Sequence, residues 1–138
     1  MRLDLNAARE RLRAARVARL ATVSGAGEPH LVPITFALDG DVLYFAVDHK
    51  PKASTDLRRL RNIQENHHVS VLVDHYADDW EALWWVRADG TAEVLPEERR
   101  GSALDLLASK YPQYASQRPQ GPVVAIRVSA LSGWSYRG

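Results

Sequence analysis

The tripeptide Asp39-Gly40-Asp41 lies between two apolar runs, residues 30–38 and 42–47, and it restricts the fold more than any other stretch of the chain. A short Asp-Gly link supports the backbone twist that two antiparallel strands need. Strands joined this way do not fit a doubly wound parallel sheet, whose neighbours require long crossovers. A second turn, Ser24-Gly25-Ala26-Gly27-Glu28-Pro29, connects a short strand at residues 17–23 to the run that begins at His30, so a meander opens the sheet. Pro33 falls inside that run and has no amide hydrogen for a ladder, so its position is an edge, a bulge or a place where a ligand nears the backbone.

The remaining segments alternate between helical and strand patterns. Asn6 is placed to cap a helix over residues 7–15, with Arg9, Arg11 and Arg13 as its solvated face. Leu57, Leu60 and Ile63 recur at helical spacing and predict a helix over residues 55–66 with those three facing the core. Residues 68–76 are a β-branched strand, residues 77–80 a loop, and residues 82–88 a strand with Trp84 and Trp85 on opposite faces. Asp89-Gly90 either ends that strand in a hairpin or lets it run on through a glycine bulge. Pro96 opens a helix as its first residue and Tyr111-Pro112 closes it. Residues 113–122 read as polar loop, residues 123–128 as a last core strand and residues 132–136 as a short tail. This order predicts one α+β domain over residues 1–138, an antiparallel split β-barrel with peripheral helices.

Composition narrows the function classes. The chain has 138 residues, 46% of them hydrophobic, which is enough for a real core. The cysteine count is 0, excluding disulfides, thiolate metal sites and cysteine nucleophiles. A net charge of +1 with interspersed signs argues against nucleic-acid binding. With no apolar leader and no run long enough to span a bilayer, the expected location is cytoplasmic.

Against that near-neutral background, the segment from Lys50 to Arg61 carries Lys50, Lys52, Arg58, Arg59 and Arg61 with Asp56 as its only acid. Two lysines follow a strand and precede the Ser54 and Thr55 hydroxyls at a helix start, where free backbone amides favour an anion. This convergence points to a phosphate site at Lys50, Lys52, Ser54 and Thr55.

Other chemistry is poorly supported. There is no Gly-x-Ser-x-Gly elbow. The histidines His30, His49, His67, His68 and His75 lack metal-ligand spacing and read as surface or hydrogen-bonded residues; no metal is expected. Asp74, Asp78 and Asp79 read first as turn residues, and no catalytic residue stands out. Trp80, Trp84, Trp85 and Trp134 suit core or interface packing as well as a broad flat ligand.

Three stretches together resemble the split-barrel flavin and deazaflavin oxidoreductases, the superfamily of pyridoxamine 5'-phosphate oxidase. They are Arg19-Leu20-Ala21-Thr22-Val23 with Gly27-Glu28-Pro29-His30-Leu31-Val32-Pro33-Ile34, then Lys50-Pro51-Lys52 before a helix ending in Asn66, and Val69-Ser70-Val71-Leu72-Val73-Asp74. The resemblance implies a homodimer with cofactor sites at the subunit interface and a small-molecule substrate. It lays a tricyclic ring along Val32, Pro33, Ile34 and Thr35, with Lys50 and Lys52 on the cofactor phosphate and Trp80, Trp84 and Trp134 toward the ring or substrate. The Lys-Pro-Lys pattern and the segment from Asp74-His75-Tyr76 to Asp79-Trp80 look like the branch that uses coenzyme F420. FMN on the same barrel, or a non-catalytic protein that binds a flavin or heme ring, are the alternatives.

Overall fold

The computed structural model describes residues 1–47 and 54–137, with residues 54–57 described by their backbone alone. Among these residues, seven strands make one antiparallel sheet: β1 Ala18–Val23, β2 Pro29–Ile34, β3 Ala37–Asp39, β4 Val42–Ala46, β5 His68–His75, β6 Trp84–Val94 and β7 Val123–Ser135. The helices are α1 Leu5–Ala14, α2 Ser54–Glu65, α3 Arg100–Lys110 and α4 Pro112–Ser116.

The strand order β2-β1-β5-β6-β7-β4-β3 puts β2 and β3 at opposite ends of the sheet. Only Thr35 and Phe36 separate them in the chain. Two intervening residues span at most about 11 Å between the flanking Cα atoms, whereas seven strands laid flat would hold the outer two about 29 Å apart. The sheet therefore curls until its ends meet at that corner, which is the expected split barrel.

Alternate side chains fill the interior. Leu20, Val71, Val86, Leu43, Phe45 and Ile126 are all buried there. Helix α2 packs on β1 and β6, with Ile63 buried and the Asn62 amide donating to Thr22 Oγ1 at 3.1 Å. Helix α3 covers part of the outer face, where Leu104 and Ala103 meet Val123 and Ala125. The β2–β3 corner is held from the α3–α4 junction. The Tyr111 hydroxyl accepts the Phe36 N–H at 3.1 Å and has one hydrogen to share between the Phe36 and Arg16 carbonyls, at 3.0 and 2.9 Å.

Several expectations are corrected by packing. Asp4, not Asn6, caps α1, its carboxylate accepting the Ala7 N–H at 2.8 Å. The Leu3 amide already donates to Gly133 at 3.0 Å, so the helix starts as soon as that extended segment ends. The run at residues 30–38 is two strands, broken by the corner at Thr35 and Phe36. Pro96 precedes a 3₁₀ turn, Glu97–Arg99, and α3 begins only afterwards. Part of the expected loop at residues 113–122 is the short helix α4, with Pro112 as its first residue. The expected tail is the end of β7, where Trp134 lies opposite Trp85.

The ambiguity at Asp89-Gly90 resolves as a continuous β6. Asp89 pairs with Ala130 and Gly90 with Val128, leaving Ser129 of β7 as the extra residue of the bulge. Pro33 sits on β2, the terminal strand of the order, as a proline in a ladder requires. No helix among the described residues is long and apolar enough to cross a membrane.

Candidate functional site

Lys50 and Lys52 lie outside the described residues. Ser54 and Thr55 are the first two residues of α2, and their side chains also lie outside what is described. One turn further along α2, Arg58 and Arg59 come close enough to His30 of β2 to act on it electrostatically. Burial first, and then these two guanidiniums, hold the His30 pKa below its ordinary value of 6.5, so the ring is neutral at pH 7. Its Nδ1 is buried with no hydrogen-bond partner among the described residues. Arg59 also reaches across to β4, its Cζ 6.0 Å from the centroid of the Phe45 ring. A buried imidazole nitrogen without a partner among the described residues, within the field of two cations of α2, fits an anionic group and suits a cofactor phosphate.

Strand β2 presents two unlike faces. Val32 and Ile34 turn toward the interior with His30, whereas Leu31 and Pro33 are exposed. Thr35 stands at the corner with its Oγ1 2.8 Å from the Tyr114 hydroxyl. Because β2 pairs only with β1, its far edge is open to a ligand among the described residues. A planar heterocycle can take hydrogen bonds from such an edge without any side-chain donor.

The tryptophans do not gather at one place. Trp80 is 68% exposed in the 3₁₀ turn Trp80–Ala82, where Asp79 caps the turn by accepting the Glu81 N–H at 3.0 Å. Trp84 packs on the core, with the Arg11 guanidinium 4.8 Å from its ring centroid. Trp85 faces the other way and lines an outer cavity of about 520 Å³ with Arg19, Leu31, Leu72, Tyr76 and Arg87. On the same face, Asp89 accepts from Ser70 Oγ at 2.6 Å and from Arg87 Nε at 3.1 Å. Leu31 and Tyr76 are 67% and 68% exposed, large apolar groups bordering one hollow.

Reasoning from sequence missed His30. The available signal was its alternation with Val32 and Ile34, which turns it toward the barrel interior. Its arginine neighbours, distant in the chain, could not be assigned to it locally. Among the described residues, no three His, Cys, Asp or Glu side chains form a group that could hold a metal ion.

A family model described as pyridoxamine 5'-phosphate oxidase matches residues 5–135. The 5a,11a-dehydrotetracycline/5a,11a-dehydrooxytetracycline reductase of Streptomyces rimosus is 34% identical over 106 residues, which are 74% of this chain and 73% of that protein. An FAD-binding protein from Mesorhizobium loti superposes with a TM-score of 0.73 at 24% identity, covering 96% of this chain and 95% of the other. The heme storage protein HutZ from Vibrio cholerae superposes at 0.74 with 17% identity over 100% of both chains. The two superpositions speak for the fold alone.

Proposed function

The chain belongs to the pyridoxamine 5'-phosphate oxidase family, and from that premise we propose an oxidoreductase that uses coenzyme F420 for hydride transfer with a small, largely apolar substrate. The supporting observation is the cationic mouth at the start of α2, where His30 Nδ1 lies buried beside Arg58 and Arg59. Lys50 and Lys52, which precede α2 in the sequence, are assigned with the Ser54 and Thr55 hydroxyls to the anionic tail. Pro33 and the open edge of β2 carry the flank of the ring, while Val32, Ile34 and Thr35 fix the path of that strand. Trp80 shields the exposed side.

When bound, the deazaflavin supplies the hydride; the chain binds, orients and excludes water. No side chain is assigned as an acid or base, and water provides the proton. The Streptomyces rimosus relative is named for reducing dehydrotetracyclines. That name supports a substrate class of apolar, conjugated ring systems with a reducible carbon–carbon double bond. Two copies pair through the outer face of β1, β2, β5 and β6, where Leu31, Leu72, Tyr76 and Trp85 surround the hollow.

Titrating the purified protein with F420 and with FMN, followed by absorption and fluorescence, tests the reading. Each lysine contact is worth about 1.5–3 kcal/mol, so the Lys50→Ala/Lys52→Ala double variant loses roughly a hundredfold or more in F420 affinity. Its circular dichroism stays that of the parent. Unchanged affinity refutes the assignment. FMN on the same barrel is the second reading; tighter binding of FMN than of F420 selects it.

A further inference from the structure

On the outer face, β7 runs between β4 and β6. The register sets Val42, Arg127 and Thr91 in one cross-strand row and Tyr44, Ala125 and Glu93 in the next. The small Ala125 between a phenol and a longer acid leaves a depression of about 490 Å³, walled by Arg99 and His67. His67 is fixed there because its carbonyl accepts the Ala92 N–H at 2.8 Å. Helix α3 covers the neighbouring part of this face through Leu104 and Ala103 and leaves the depression open.

Its charges are unequal. Glu93 Oε1 accepts from Arg99 Nη1 at 3.3 Å, so the one acid lining the depression is already engaged. Arg127 has no ion pair or hydrogen bond from its side chain to any described residue. We infer that this depression binds a flat one- or two-ring aromatic carboxylate, with its carboxylate on Arg127 and its ring over Ala125 against Tyr44. The planar guanidinium matches a carboxylate through two parallel hydrogen bonds. The volume lies within the range of about 300–1,000 Å³ usual for small-molecule sites. Val42 and Ala125 make an apolar floor that a bare inorganic anion would leave wet.

The pocket is separate from the proposed cofactor site. His67 follows the C-terminal end of α2 and the lysines precede its start, and a helix of 12 residues is about 18 Å long.

The probe is 2-naphthoate, added to the ¹⁵N-labelled full chain and followed by NMR, with affinity measured by calorimetry. Shifts are expected at Tyr44, Thr91 and Arg127. Arg127→Ala weakens binding by about tenfold or more, and Arg127→Lys recovers only part because the planar fork is lost. Arg127 is exposed, and unchanged resonances away from the pocket show that each variant is folded. The Lys50→Ala/Lys52→Ala variant binds the probe as the parent does. Four results overturn the inference: no shifts at millimolar probe, shifts confined to β2 or Trp85, equal binding of neutral 2-naphthalenemethanol, or displacement by equimolar inorganic phosphate, which marks a simple anion site.

Discussion

At Gly90 one absent carbon decides whether two strands can meet. A Cβ there would stand 2.2 Å from the Arg127 carbonyl oxygen and 2.9 Å from its carbon, both backbone atoms that cannot step aside cheaply. Gly90→Ala should cost about 1–3 kcal/mol, as overpacking does, and lower the melting temperature. Gly101 of α3 is the opposite case, with nothing within 4 Å of its added Cβ. Gly101→Ala should gain about 0.5–1 kcal/mol by restricting the unfolded chain and favouring the helix. Melting temperatures that move together would contradict this account. The comparison also shows what a sequence reveals at this scale. Gly40 adopts φ +60° in the β3–β4 turn, and its neighbouring aspartates announced that turn. The reason for Gly90 lies on a strand far along the chain, so local pattern left hairpin and bulge equally open. His30 was hidden in the same way, because Arg58 and Arg59 reach it only through the packing of α2.

Between elements, the end of α3 is latched to the end of α1. Lys110 Nζ donates to the Ala15 carbonyl at 2.7 Å and the Arg13 carbonyl at 3.0 Å, and lies 4.0 Å from the Phe36 ring centroid. Burial, reinforced by Arg16, pushes its pKa down from 10.5 to about 8. From about pH 8 to 10.5 the unfolded chain therefore binds more protons at this position than the folded one. Stability from this group rises with pH through that window, and the cost of holding the charge is fully present below it. Denaturant melts at stepped pH should show this rise in the parent and lose it in Lys110→Met; equal slopes would reject the latch as the cause. Helix α2 was legible because Leu60 and Ile63 repeat at its period. The end of β7 was not, since Ser132 and Gly133 read as the start of a short tail. Gly133 fits closely there, since an added Cβ would meet Leu3 Cδ1 at 3.1 Å and the Trp85 oxygen at 3.2 Å and its neighbours would have to give by a few tenths of an ångström.

For the whole molecule, hairpin chemistry alone excluded a parallel sheet, and the barrel followed from joining the two terminal strands by two residues. The proposed pairing surface is on the outer face, where Leu31 is 67% exposed beside the Trp85 hollow. Light scattering coupled to gel filtration should give a dimer for the parent and a monomer for Leu31→Asp, with circular dichroism unchanged. A monomeric parent would remove the proposed interface. Among the described residues, strand β7 alone joins β6 to the β4–β3 pair. During synthesis the hairpin of β3 and β4 emerges early and waits for a dock made last. A ribosome stalled before residue 123 thus holds a sheet with a missing keystone, and the burden on chaperones falls on that interval.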